Sequence, residues 1–174
     1  KVNNNKIYIA LGSNLKSFSF RNIRKFFNAI IINLKLIGIK VNKNSNIWVS
    51  NPLPFSSGPM FYNSVLECSY LYNSHIEPDK LLKKISKIEK KFGKKLKGKN
   101  KQRVIDIDII DFKGLNNTDK ILLPHPRMHL RKFVLIPLFE LNKYWWHPEL
   151  KKNCLYLQSK IKGNQFLIKS KMFS

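Results

Sequence analysis

Arg103-Val104-Ile105-Asp106-Ile107-Asp108-Ile109-Ile110 alternates with the two-residue period of a half-buried strand. Successive strand side chains point to opposite faces, so Asp106 and Asp108 share one face, about 6.6 Å apart along the chain. The strand is expected over Val104 to Phe112, ending at the turn Gly114-Leu115-Asn116-Asn117. Upstream of it, Glu77-Pro78-Asp79 opens a helix, with Pro at the first helical position and a carboxylate where the dipole favours it. Leu81, Leu82, Ile85, Ile88 and Phe92 form its apolar stripe and Gly93 ends it. Before that helix, Phe61 to Leu71 and Ile39 to Val49 carry strand content, separated by the Pro- and Ser-rich loop from Asn51 to Pro59. A second helix is expected earlier, with the stripe Ile23, Phe27, Ile30, Leu34, Ile37 and Gly38 as its closing residue. The first strand, Ile7 to Leu11, runs into Gly12-Ser13-Asn14. The order β-α-β-β-α-β predicts an α+β domain, a split β-α-β with helices packed on a mainly antiparallel sheet.

At 174 residues with 43% hydrophobic content, the chain is expected to form one domain over residues 1–174, with 160–174 weakly patterned and peripheral. A chain of this size buries roughly 70% of the surface its unfolded form exposes, so it needs no disulfide staple. Apolar runs fall far short of the ~20 residues of a membrane helix. Cys68 and Cys154 form no CxxC pair and read as reduced packing thiols, and the N-terminal segment resembles no leader. A cytoplasmic location is therefore expected. The first residue is Lys1 rather than Met, so a longer parent chain is compatible with these residues.

The formal net charge of +23 invites a polyanionic partner, yet 28 of the 33 basic residues are lysines, in a chain also rich in Asn and Ile. The five arginines at 21, 24, 103, 127 and 131 are more informative, because a guanidinium offers bidentate phosphate geometry. Asp106 and Asp108 suit a shared hard cation completed by substrate phosphates, while their spacing alone favours a strand with a solvated face. The run from Gly93 to Asn100 nearly spells a P-loop, but Asn100 stands where a hydroxyl belongs and the loop follows a helix instead of a strand. Its lysines read as a basic flap or as a solvated charge run. Pro124-His125-Pro126-Arg127-Met128-His129-Leu130-Arg131-Lys132-Phe133 gathers two imidazoles, two guanidinia and an aromatic, and is a candidate ligand-contact loop.

Taken in order, Ala10-Leu11-Gly12-Ser13-Asn14-Leu15, Pro52 to Asn63, Arg103 to Ile109, and Pro124-His125-Pro126-Arg127 through Phe133-Val134-Leu135 resemble the 6-hydroxymethyl-7,8-dihydropterin pyrophosphokinase family. The resemblance spans about residues 6–150 and implies a ferredoxin-like α+β fold. It also implies a diphosphotransferase of folate biosynthesis, in which ATP donates its terminal diphosphate to the pterin hydroxymethyl group and leaves as AMP. By position, Asp106 and Asp108 match the pair that binds two magnesium ions, and Arg103 matches a phosphate-contacting arginine. His125 matches the ATP-contacting histidine, and Arg131 an arginine near the phosphates and pterin. Phe61 and Phe133 match the aromatic faces around the pterin ring, Asn63 matches the amide at its edge, and Ser50 and Leu53 line that pocket.

The chain departs from the family pattern at several places. Lys94 and Leu96 occupy places where the family often has arginines, with Lys97 one step further on, and Lys120 replaces a common arginine of the ATP site. Phe61 stands where tyrosine is common. The partners implied are ATP and 6-hydroxymethyl-7,8-dihydropterin, with no membrane and no nucleic acid, and a monomer is compatible with them. The rival is a basic RNA-binding module of the same sheet architecture, which lacks the RNP1 pattern and presents two aspartates to its ligand.

Overall fold

A computed structural model of the chain describes residues 5–14, 20–53, 58–71, 76–93, 104–116 and 120–170, without the side chains of Phe20 and Arg21. The elements are β1 (Ile7–Ser13), α1 (Phe20–Leu36), β2 (Ile39–Asn44), β3 (Trp48–Ser50), β4 (Phe61–Tyr70), α2 (Pro78–Lys91), β5 (Asp106–Phe112), α3 (Lys132–Leu141), α4 (Cys154–Ser159) and β6 (Leu167–Lys169). A 3-10 turn, Met128–Leu130, precedes α3. The sheet order is β5-β1-β4-β3-β6, with β2 paired to β4, and every pairing is antiparallel. This is the α+β sheet the element order predicts.

Both faces of the sheet are covered. Ile7, Ile9, Leu11, Leu66, Cys68, Ile107 and Ile109 pack against Ile23, Phe27, Ile30 and Leu34 of α1 and Leu81, Ile85 and Ile88 of α2. Gly38, at φ 93°, takes the left-handed position that stops α1, where a side chain would be strained. On the other face, Tyr8, Val65 and Ile110 pack against Val134, Leu135 and Leu138 of α3, Trp145, and Cys154 and Leu157 of α4. Among the described residues, helices cover most of both faces, which leaves little of the broad platform that an RNA module stacks bases on. Among the described residues, no helix is long and apolar enough to cross a membrane.

Three expectations need correction. Ile39 to Val49 is not one strand: β2 ends at Asn44 opposite Leu66 and β3 begins at Trp48 opposite Asn63, so three residues stand opposite two of β4 and the ladder breaks between them. There the Ser45 N–H donates to the Val65 carbonyl at 2.9 Å, and the Ser45 hydroxyl takes the place of a backbone carbonyl in accepting the Val65 N–H at 2.9 Å. In α2, Leu82 is exposed and Glu89 takes the buried place beside Ile85 and Ile88. In β5, which begins at Asp106 and not at Val104, a bulge sets Tyr8 opposite Asp111 but Ile9 opposite Ile109. The extra residue, Ile110, shifts the alternation, so Asp111 joins the α3 side while Phe112 packs toward α1 and α2.

Candidate active site

The site lies where β1 runs out of bulk. Its residues on the α3 side are Tyr8, Ala10 and Gly12: Tyr8 fills the core, and the two small residues leave a floor open. Gly12 is in register between Asn63 of β4 and Asp106 of β5, and Ala10 between Val65 and Asp108. Two strand spacings separate Asn63 from Asp106, roughly 10 Å across a floor without a side chain.

Above this floor is a pocket of about 110 Å³, several times the space one water needs. Its walls bring together Ser50, Leu53, Phe61, Asn63, Asp106, Asp108, Arg131 and Phe133, together with Asn51 and Val134. The two aromatics come from the start of β4 and the first turn of α3. The Arg131 guanidinium lies 5.6 Å from the centre of the Phe133 ring. The Asn63 amide nitrogen donates to Ser50 Oγ at 3.0 Å and to the Phe61 carbonyl at 3.1 Å. With its donors spent on the protein, Asn63 presents Oδ1 over Gly12, 3.8 Å from where a Cβ would stand.

The strand that carries the carboxylates is tied from outside the sheet. The Ile107 N–H, between Asp106 and Asp108, donates to Glu89 Oε1 at 2.9 Å, and Ser13 Oγ donates to the Val104 carbonyl at 2.7 Å. Both aspartates are half-buried and line the pocket. Among the described residues no group of three His, Cys, Asp or Glu is placed to hold a metal. Two carboxylates side by side on an open pocket are hard oxygen donors, a donor set compatible with a divalent cation.

His125 stands beside this group without lining the pocket. Its backbone N–H extends the β5 edge by donating to the Ile110 carbonyl at 2.9 Å, and its Nδ1 accepts the Arg127 N–H at 3.2 Å, which leaves the ring proton on Nε2. Burial lowers its pKa, Asp108 opposes that shift, and Arg131 and Arg127 reinforce it, so the ring is neutral at pH 7. Lys120 is exposed and outside the pocket lining. Lys94, Leu96, Lys97 and Arg103 lie outside the described residues. Two residues that sequence reasoning missed are Asn51, whose side-chain oxygen is buried with no hydrogen-bond partner among the described residues, and Glu89. Glu89 had a signal, since it lies four positions after Ile85 on the apolar side of its helix.

Residues 8–143 match the family model described as 7,8-dihydro-6-hydroxymethylpterin-pyrophosphokinase. The chain is 36% identical over 148 residues to the Folic acid synthesis protein FOL1 of Dictyostelium discoideum, covering 84% of this chain and 21% of that protein. It is 34% identical over 148 residues to the Folic acid synthesis protein fol1 of Pneumocystis carinii, covering 84% and 19%, so it spans about a fifth of the length of these two relatives. Against the 2-amino-4-hydroxy-6-hydroxymethyldihydropteridine pyrophosphokinase of Bacillus subtilis it is 31% identical over 141 residues, covering 79% of this chain and 78% of that one. Because the family match takes in nearly all of β1 and every element after it through α3, the whole framework of the pocket, this chain belongs to the 7,8-dihydro-6-hydroxymethylpterin-pyrophosphokinase family.

Proposed function

We propose that the chain transfers diphosphate from ATP to the hydroxymethyl group of 6-hydroxymethyl-7,8-dihydropterin, with release of AMP, in folate biosynthesis. The observation that carries this reading is a single pocket with two aromatics and a carboxamide on one part of its wall and two aspartates on another. A flat heterocycle with a polar edge suits the space between Phe61 and Phe133, with Asn63 Oδ1 accepting from a ring N–H. The hydroxymethyl arm then extends over Gly12 toward Asp106 and Asp108. Asp106 and Asp108 would hold two magnesium ions, which when bound neutralise charge on the polyphosphate. Arg131 and the Nε2–H of His125 serve as fixed donors to phosphate oxygens, with Lys94, Arg103 and Lys120 completing the cationic set.

In the transfer, the hydroxymethyl oxygen forms a bond to the β-phosphorus while the bond from that phosphorus to the oxygen bridging it to the α-phosphorus breaks. AMP leaves with the electron pair, and the hydroxyl proton passes to solvent. Such a transfer asks the protein for alignment and charge stabilisation more than for covalent chemistry. The purified chain incubated with ATP and the hydroxymethyl pterin is expected to release AMP, and to stop when a chelator removes magnesium. Asp106→Asn is expected to lower turnover roughly a hundredfold or more while circular dichroism is unchanged. Release of ADP in place of AMP overturns the proposal.

A further inference from the structure

The helix that carries Phe133 starts without a cap of its own. Arg131 at its N-cap has no side-chain acceptor, so the first N–H groups of α3 need partners from elsewhere. Gln165, more than thirty residues along the chain, supplies one: its Oε1 accepts the Lys132 N–H at 2.9 Å. Its Nε2 donates to the Leu130 carbonyl at 2.8 Å. Those two backbone groups flank Arg131, so a single carboxamide straddles it. The next residue, Phe166, lines a small cleft with Ser50, Asn51, Leu53 and Phe133, four residues that also line the main pocket.

The segment bearing Gln165 is itself anchored to the opposite wall. Leu167 pairs with Ser50 and the Ser170 N–H donates to the Ile47 carbonyl at 2.9 Å, while Lys169 reaches back to Glu140 of α3 at 3.7 Å. The residues from 153 onward thus return to join β3, which holds Ser50, to the start of α3, which holds Phe133. The family match ends at residue 143, before this segment begins.

We propose that Gln165 is a positioning residue of the substrate site, a bracket that holds Arg131 and Phe133 in place for the pterin and its acceptor arm. This rests on the function proposed above. Without the bracket the first turn of α3 frays, and binding must first reorder the two side chains. Gln165→Met keeps the length of the side chain and removes both hydrogen bonds. It is expected to raise KM for the pterin roughly three- to tenfold with kcat within about twofold. Hydrogen exchange at the Lys132 amide is expected to accelerate by roughly tenfold, a readout that needs no turnover. Gln165→Glu keeps the acceptor for Lys132 and loses the donor to Leu130, so its Lys132 amide stays protected and its KM falls between the two. Lys162→Ala, exposed on the same segment and not one of its anchors, leaves KM unchanged.

A KM within twofold of the parent in Gln165→Met overturns the inference, as does an unaltered Lys132 amide. Should the methionine variant not fold, an unchanged KM in Gln165→Glu overturns it equally. If the parent chain itself releases no AMP, the function proposed above fails. The inference is then decided by the Lys132 exchange together with direct titration of the pterin against parent and variant.

Discussion

Gly12 stands between Asn63 and Asp106, and its backbone is not in the left-handed region, so conformation does not demand a glycine there. Space does. A Cβ would meet Asn63 Oδ1 at 3.8 Å and the Asp106 Cβ at 3.9 Å, both ordinary contacts, whereas further carbons would fill the floor of the pocket. Gly12→Val is therefore expected to keep or raise the thermal midpoint, since a β-branched residue suits a strand, and to raise KM for the pterin more than tenfold. Gly12→Ala is expected to fall in between; a valine variant with unaltered KM would place the ligand elsewhere. Asp106 and Asp108 were legible in the sequence because their pairing is local, a matter of period two within one strand. Gly12 was visible as part of a motif, but its place in the floor depends on the register of β1 against two strands distant in sequence. Asn51 was not legible at all, because what buries its oxygen is the path of a loop, and no periodicity encodes that.

α1 and α2 were legible as elements because their stripes are long, and β1 and β4 because their strand content lies between clear turn signals, whereas α3 read only as an apolar stretch and the short α4 and β6 carry no pattern long enough to read. The sequence did not disclose the bulge in β5, which depends on how Tyr8 and Ile110 pack across strands. It also did not disclose the tie between α2 and β5. β5 is a sheet edge among the described strands, and the outward Ile107 N–H donates instead to Glu89 in a buried setting at 2.9 Å. A buried donor deprived of its acceptor costs about 1–3 kcal/mol. Glu89→Leu is expected to lose stability of that order in urea unfolding, and to lower kcat because the strand bearing both aspartates is less fixed. Glu89→Gln, which keeps an acceptor oxygen, stays nearer the parent in both. Equal stability of the leucine variant would show that the edge is secured without Glu89.

At the scale of the molecule, helices pack on both faces of the sheet, and the loop from Trp145 to Lys152 adds to the cover on the α3 side through Trp145 and His147. That imidazole is 2% exposed, and its Nδ1 accepts the N–H groups of Glu149 and Leu150 at 3.3 and 3.1 Å. Its ring packs edge-on against Trp145 and His129 at 5.6 and 5.9 Å. Burial pushes its pKa down to about 4, with His129 and Lys151 adding to the shift. The unfolded chain titrates near 6.5, so below that pH it takes up a proton that the folded chain refuses. The stabilisation is complete above about pH 6.5 and is lost as the pH falls toward 4, amounting to about 3 kcal/mol at most. His125, lowered chiefly by burial, contributes in the same sense. The thermal midpoint is therefore expected to fall between pH 7 and 5, above most of the carboxylate range. His147→Gln is expected to start lower at pH 7, having lost the ring contacts, and to decline less steeply. Equal slopes in the two proteins would assign the acid sensitivity to other groups and leave His147 a packing residue only.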